Sequence, residues 1–294
     1  EVQDIAIVFI TAYQRYAVEA FRLNALDYLL KPVAADRLME AIRRIAKPFG
    51  VRAECQKFRV SCFGKFRVYA GEEEIRFRTE KAEELLAFLI DQKGAYVSRN
   101  KIIDSLWEEF DADRAIIHFN TTLHYVKKAL LTSGVQASIQ YERGSYRLDV
   151  KSLHCDYLEF CAFEDGRGTV NRENISSYEK AASLYTGEYL SGCDFDWAAG
   201  KRLLLEEQFI KLVLDISDYY TGVKMYPEAI KWLKKGLAHE PLHRELNYRL
   251  IDALWITHEC VMAKKHYDLY CEGLAKRLHQ EPDTAFKKLL GGRL

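Results

Sequence analysis

Asp113-Arg-Ala-Ile-Ile-His-Phe-Asn-Thr-Thr-Leu-His-Tyr-Val-Lys-Lys-Ala-Leu-Leu131 carries one apolar stripe, Phe119, Leu123, Val126 and Leu130, at the spacing of a single helix face. The opposite face is left to His118, Asn120, Thr121, His124, Tyr125, Lys127 and Lys128, and no acidic residue lies between Arg114 and Leu131. Solvated helix faces ordinarily mix glutamate with lysine. A face of Asn, Thr, His, Tyr and Lys without a carboxylate suits the major groove of duplex DNA, where Asn can pair with adenine and Lys with guanine or phosphate.

The flanking sequence supplies a setting for that helix. Upstream, Phe58, Val60, Cys62, Phe66, Val68 and Tyr69 alternate with polar residues around Gly64-Lys65, and Ile75-Arg-Phe77 adds a short strand, so a small antiparallel sheet is expected. Thr79 is placed to cap a helix with Glu83 and Glu84 in its first turn, its apolar face being Leu85, Leu86, Phe88 and Leu89 up to Gly94. Ser98 caps a second helix carrying Ile102, Ile103, Leu106 and Trp107. Downstream, Ile139-Gln-Tyr-Glu-Arg-Gly-Ser-Tyr-Arg-Leu-Asp-Val150 reads as two strands around Arg143-Gly144. Sheet, three helices and hairpin are the order of a winged helix-turn-helix. Residues 58–150 resemble the effector domain of response regulators of that type, with Gly144-Ser-Tyr-Arg-Leu148 standing where the family has the Gly-Tyr-Arg of its wing. The resemblance implies that Asn120, Thr121 and Tyr125 face bases, that Thr122, His124 and Lys127 face the phosphate backbone, with Lys128 beside them, that Arg143 reaches the minor groove, and that Tyr146 touches phosphate near the wing. Family members often carry Arg where Tyr125, Lys127 and Lys128 stand, which leaves the preferred base open.

Residues 1–47 read as strand, helix, strand, helix: Ile5–Thr11, Arg15–Leu23, Asp27–Leu30 and Ala35–Ile45. Two strands are too few to close a parallel α/β core, so this is half a domain, and the chain is expected to begin inside one. Ile7-Val-Phe-Ile-Thr-Ala-Tyr13, Tyr16-Ala-Val-Glu-Ala-Phe21 and Ala25-Leu-Asp-Tyr-Leu-Leu-Lys-Pro32 resemble the C-terminal half of a response-regulator receiver domain. By that resemblance Thr11 is the hydroxyl residue that turns towards the phosphoryl group, Lys31 the lysine that pairs with it, Tyr28 the aromatic switch, and the Lys31–Pro32 bond is cis. The phosphoacceptor aspartate and the acidic metal-binding pair would belong to strands upstream, so no phosphoacceptor is expected in this chain. No cofactor or metal is expected in it either, Mg2+ being implied only for an intact receiver. The same resemblance implies a sensor histidine kinase as partner of the intact protein and a homodimer formed through the receiver fragment. Lys47-Pro-Phe-Gly-Val51 ends the α/β pattern, and 48–56 reads as a linker.

From about His154 the periodicity is helical: Tyr157–Phe163, Asn174–Thr186, Asp196–Tyr220, Pro227–His239, His243–Thr257 and Ala263–Leu278. Ala229 and Ala263 stand 34 residues apart, as do Leu233 and Tyr267, and Glu240-Pro241 and Glu281-Pro282 mark repeat ends. That period belongs to tetratricopeptide-type (TPR-like) helical hairpins. Tyr185-Thr-Gly-Glu-Tyr-Leu190, Asp196-Trp197 and Tyr226-Pro-Glu-Ala-Ile230 resemble the bacterial transcriptional activation domain of the SARP class of regulators. The fold class expected is therefore multidomain: an α/β receiver fragment over 1–47, an α+β winged helix-turn-helix over 57–151, and an all-α TPR-like domain over 152–294. The resemblance implies a response regulator that activates transcription by binding promoter repeats in double-stranded DNA and contacting RNA polymerase. The alternative is a TPR-like interaction scaffold whose central domain docks protein.

His239-Glu-Pro-Leu-His243 satisfies the His-Glu-x-x-His zinc-hydrolase pattern literally, yet Pro241 cannot sit inside the helix that pattern requires. A turn between helices explains it better, and no enzyme is expected. The 294 residues contain no apolar run near the 18–20 of a membrane span and no signal peptide, so neither a membrane partner nor export is expected. Seven cysteines, odd in number and scattered, read as reduced thiols of a cytoplasmic protein. Lys+Arg and Asp+Glu number 43 each; the net charge is +1 over 1–49, +2 over 50–151 and −3 over 152–294. Long-range attraction to DNA is then modest, and cationic contacts must concentrate on one helix and one hairpin.

Overall fold

The computed structural model describes residues 7–13, 16, 25, 27–33, 58–135 and 138–291. The chain divides into two compact units, one of Glu1–Cys62 with Phe66–Leu158, the other of Phe63–Lys65 with Glu159–Leu294.

In the first unit, β1 (Val8–Thr11) and β2 (Asp27–Leu30) pair in parallel, Thr11 opposite Leu30. The Lys31–Pro32 bond is cis. The expected helices Arg15–Leu23 and Ala35–Ile45, Tyr16 apart, and the linker 48–56 lie outside the described residues.

The remainder of this unit is a four-stranded sheet, three helices and a three-stranded sheet. β3 (Phe58–Ser61) and β4 (Arg67–Ala70) are antiparallel, with Phe58, Val60, Val68 and Ala70 buried. The expected strand Ile75–Phe77 is displaced to β5 (Glu73–Glu74). The cause is a tight turn: Gly71, at φ +61°, reverses the chain after Ala70, and pairing starts two residues later whatever the β propensity there. Ile75 is instead buried and donates its N–H to the Val68 carbonyl at 2.8 Å. Helix α1 (Glu80–Asp91) is capped by Thr79, whose hydroxyl accepts from the Ala82 N–H, with Glu80 and Glu83 in the first turn and Glu84 buried. After β6 (Val97–Ser98), Ser98 caps α2 (Arg99–Leu106), accepting from the Lys101 N–H. Asp111 caps α3 (Ala112–Thr132), accepting from the Arg114 N–H. Phe119, Leu123, Val126 and Leu130 are all buried, as the spacing predicts. Phe119 meets Trp107 edge-on at 6.1 Å and Tyr146 at 5.1 Å. β7 (Ile139–Glu142) and β8 (Ser145–Leu148) form the expected hairpin, which β6 joins at β8. β9 (Leu153–Cys155) is a strand the sequence reading missed, and it pairs in parallel with β3.

The second unit is helical. α4 (Asp156–Asp165), α5 (Ile175–Leu184), α6 (Ala199–Gly222), α7 (Tyr226–His239), α8 (Arg244–Ile256), α9 (Cys260–Arg277) and α10 (Thr284–Gly291) follow one another, with α6 to α9 packed as successive neighbours. Asp196–Ala198 is a 3-10 turn before α6, so the helix begins later than its apolar pattern does. Ala229 and Ala263 are fully buried where helices approach, and a Cβ on Gly236 would stand 2.8 Å from Leu246 Cδ1. Helix α10 was not expected; its Phe286 packs against Tyr248, Tyr267 and Tyr270.

The motif at 185–190 has a local explanation. Tyr185, Tyr189 and Leu190 are buried, and Phe63 lies against Tyr185 at 4.8 Å and Tyr189 at 6.3 Å. The Gly64 N–H donates to the Glu188 carbonyl at 2.9 Å, and a Cβ on Gly187 would come within 3.1 Å of Gly64 Cα. Glycine at 187 is thus required by the approach of two backbones. The Arg202 guanidinium closes the turn by donating to the carbonyls of Tyr189 at 3.1 Å and Cys193 at 2.6 Å. Glu179 of α5 accepts from the Tyr220 hydroxyl at 2.8 Å and the Trp232 indole at 3.1 Å, tying α5, α6 and α7 together. Among the described residues no helix is long and apolar enough to cross a membrane.

Candidate nucleic-acid interface

Helix α3 turns one side to the core and the other outward, because its apolar residues recur at helical spacing and its polar ones fill the gaps. Thr121 and Lys128 are exposed; Asn120, His124, Tyr125 and Lys127 are partly covered. Two of the expected site residues lie inward. Thr122 is buried beside Leu123, one helical step from the core stripe, so it is off the outward face. Tyr146, expected to touch phosphate near the wing, is buried, its ring held between Phe119 and Tyr141. Burial also pushes the Lys127 ammonium below the usual lysine range.

The outward face holds residues that the sequence reading passed over. Ile117 is 55% exposed. Arg114 is exposed and pairs with the Asp111 carboxylate at 3.3 Å across open solvent. Arg78, just ahead of α1, places its guanidinium over the Tyr125 ring, 4.8 Å from the centroid. An arginine is thereby brought beside the helix that itself has none after Arg114. Only tertiary structure could reveal this, since Arg78 is 47 residues from Tyr125 in sequence. Ile117 was readable in principle: it lies opposite Phe119 and Val126 on a helical wheel.

The hairpin tip presents Arg143 to solvent. Arg143 and Gly144 have φ of +46° and +83°, and Glu142 faces Ser145, the two-residue turn that matches strand twist. The Arg99 N–H donates to the Gly144 carbonyl at 3.0 Å, fixing the tip to the start of α2. Tyr141 is exposed on the hairpin, 5.0 Å from Tyr146. The surface so assembled has Arg114, Lys128, Arg143 and Arg78 as exposed cations on α3, the hairpin and the approach to α1.

In the receiver-like segment the strand ends bring Thr11, Tyr28 and Lys31 into one neighbourhood. The Lys31 N–H donates to the Thr11 carbonyl at 2.8 Å, the Thr11 hydroxyl accepts from the Tyr13 N–H at 3.2 Å, and the Tyr28 hydroxyl donates to the Tyr13 carbonyl. The Lys31 side chain is exposed.

His239-Glu-Pro-Leu-His243 is a turn between α7 and α8. His239 ends α7 with its ring edge-on to Tyr185 and Phe209, while His243 caps α8 by accepting from the Leu246 N–H at 3.2 Å. The two histidines therefore do not share a helix face. Among the described residues Cys62, Cys155 and Asp156 could hold a metal ion by proximity. The two thiols touch at 3.7 Å inside the core, burial pushes the Cys62 thiol up, and Asp156 accepts from the Cys62 and Tyr157 N–H groups at 2.7 Å. None of the six described cysteines is in a disulfide.

The bacterial transcriptional activator domain family matches residues 156–291. A solved structure of Mycobacterium tuberculosis EmbR in complex with a low-affinity phosphopeptide has the same fold over 81% of this chain and 66% of that one, with a TM-score of 0.61 and 18% identity. Residues 156–291 thus belong to the bacterial transcriptional activator domain family, and the likeness to EmbR shows a shared fold. Among curated relatives, this chain is 54% identical over 41 residues to an uncharacterised response regulatory protein of Vibrio vulnificus, covering 14% of this chain and 17% of that protein. It is 46% identical over 52 residues to the sensory transduction protein LytT of Oceanobacillus iheyensis, covering 18% and 21%. The transcriptional regulatory protein NatR of Bacillus subtilis is 24% identical over 156 residues, covering 53% of this chain and 66% of NatR. The chain thus spans about a fifth of the length of the first two relatives and about two thirds of the third.

Proposed function

We propose that this regulator is a sequence-specific DNA-binding transcriptional activator, organised as a receiver fragment (1–47), a linker (48–56), a winged helix-turn-helix (57–151) and an activation domain (152–294). The observation that carries the reading is the outward face of α3, free of carboxylates after Asp113, next to a hairpin that offers Arg143. Phosphate attraction needs such a local excess of cations, because the chain as a whole is neutral. The reading side is Asn120, Thr121, His124, Tyr125, Lys127 and Lys128, supported by Arg78 and Arg114, with Arg143 at the minor groove. Thr122 and Tyr146 act from beneath, by packing. The helices of 152–294 contact RNA polymerase, and the receiver fragment forms the homodimer. In the intact protein a sensor histidine kinase acts on the receiver, in which Thr11 and Lys31 would face the phosphoryl group and carboxylates of the intact receiver would hold Mg2+.

The test is binding to duplexes selected from a random pool, followed over a range of salt. Each phosphate contact contributes about 0.9 to the slope of log affinity against log salt. Lys128→Ala with Arg143→Ala is expected to weaken binding and lower that slope by about two. A double variant that binds as the parent does at every salt concentration would show that α3 and the hairpin are not the interface. If the parent binds no duplex, the scaffold reading takes its place.

A further inference from the structure

The outward face of α3 has an aliphatic centre. Ile117, Thr121 and Lys128 recur at spacings of four and seven, opposite the buried Phe119 and Val126, so one stripe contains them. Ile117, at the N-terminal end of these three, is 55% exposed. One turn on, the Thr121 hydroxyl donates to the Ile117 carbonyl at 2.9 Å. Its proton is committed to the backbone, so Thr121 has its methyl and acceptor lone pairs left to offer. Lys128 and Arg114, the latter paired with the Asp111 carboxylate, lie along the same stripe, and no carboxylate of α3 stands between them. Phe110, the nearest other exposed apolar side chain in sequence, lies tilted against the His118 ring at 4.7 Å.

A partner that fits this stripe must be polyanionic at its borders and apolar at one point between them. The major groove at an A·T pair has that character, with phosphates on both sides and the thymine C5-methyl projecting inside. A protein partner would call for a wider apolar patch than one isoleucine and one threonine.

We propose that Ile117 is a specificity-determining residue that reads a thymine methyl group, with Thr121 beside it. The operator then holds thymine at the base pair facing Ile117, and affinity at that pair depends on the methyl rather than on a hydrogen bond. This inference rests on the reading of α3 as the recognition helix.

The experiment uses the full chain and its selected duplex, with each thymine replaced in turn by uracil, which deletes the methyl and leaves the hydrogen-bonding edges intact. At one or two positions the parent should lose affinity about fourfold, the value of one buried methyl-sized group. Ile117→Ala should bind less tightly and be indifferent to uracil at those same positions, while Ile117→Val keeps part of the sensitivity. Because Ile117 is exposed, neither variant threatens the fold. Equal uracil costs in the parent and in Ile117→Ala at every position would overturn the inference while leaving the DNA-binding reading standing. A parent that selects no duplex at all would overturn both.

Discussion

Arg143 shows how a single residue can serve a site at the expense of its own backbone. Its φ of +46° lies in the left-handed region, where a side chain with a Cβ is disfavoured by about 1–2 kcal/mol. Asparagine tolerates that conformation, and Asn-Gly is the preferred pair for this turn. Arg143→Asn is therefore expected to stabilise the first unit by about 0.5–1 kcal/mol while weakening duplex binding. Chemical denaturation and a DNA titration on the same sample check both halves, and a variant that loses stability would show that the arginine side chain holds the hairpin. Gly187 makes the opposite case, since its constraint is packing. A Cβ there meets the Gly64 backbone at 3.1 Å, and Gly187→Ala should cost about 1–3 kcal/mol in denaturation of the second unit. The motif containing Gly187 was legible in the sequence as a resemblance, but the reason for its glycine was not, because Gly64 is 123 residues away.

At the scale of elements, what could be read was what repeats locally. The stripe on α3, the caps at Thr79 and Ser98 and the turn at Arg143-Gly144 depend on residues within a few positions of each other, and each appears where the spacing puts it. Strands β5 and β9 were misplaced or missed because register and partner are set from afar: β9 pairs with β3 across about 95 residues. The candidate surface followed the same division. The exposure of Lys128 and Arg143 follows from local pattern, whereas the burial of Tyr146 and the placing of Arg78 over Tyr125 depend on how separate elements pack. Helices α7 and α9 also hold a pH response. Burial pushes His239 below the usual histidine range, with Lys235 adding to the shift, and burial with Lys234 does the same to His266, which pairs with Asn247 at 2.9 Å. Both fold best neutral, while in the unfolded chain each takes up a proton near pH 6.5. Stability is then full above about pH 6.5 and falls as the pH drops below it. Urea midpoints measured between pH 7.5 and 5.5 should decline for the parent and decline less for His239→Phe, which keeps a ring against Tyr185 and Phe209. Equal declines would place the proton uptake elsewhere.

For the whole molecule, charge and architecture pull in different directions. A neutral chain with its cations gathered on α3, the hairpin and Arg78 has little to hold random duplex. Binding to unselected DNA at about 0.15 M salt should accordingly be weak beside binding to the selected sequence, and a competition titration that finds the two within a factor of a few would contradict it. The second unit carries the match to the bacterial transcriptional activator domain family and a slightly acidic balance, so it adds nothing to phosphate attraction.

The short excursion Phe63–Lys65 has a consequence for how such chains can be cut and recombined. Those three residues belong to the helical unit although the chain on both sides of them belongs to the other. A fragment starting anywhere after Lys65 leaves the helical unit without the Phe63 ring that lies against Phe160, Tyr185 and Tyr189. Along the chain the boundary of the helical unit is therefore discontinuous, and exchange of residues 159–294 alone between related chains would carry a packing defect with it. Swaps that keep residue 63 and the 185–190 turn from the same parent avoid that defect, so inheritance should favour the pair travelling together.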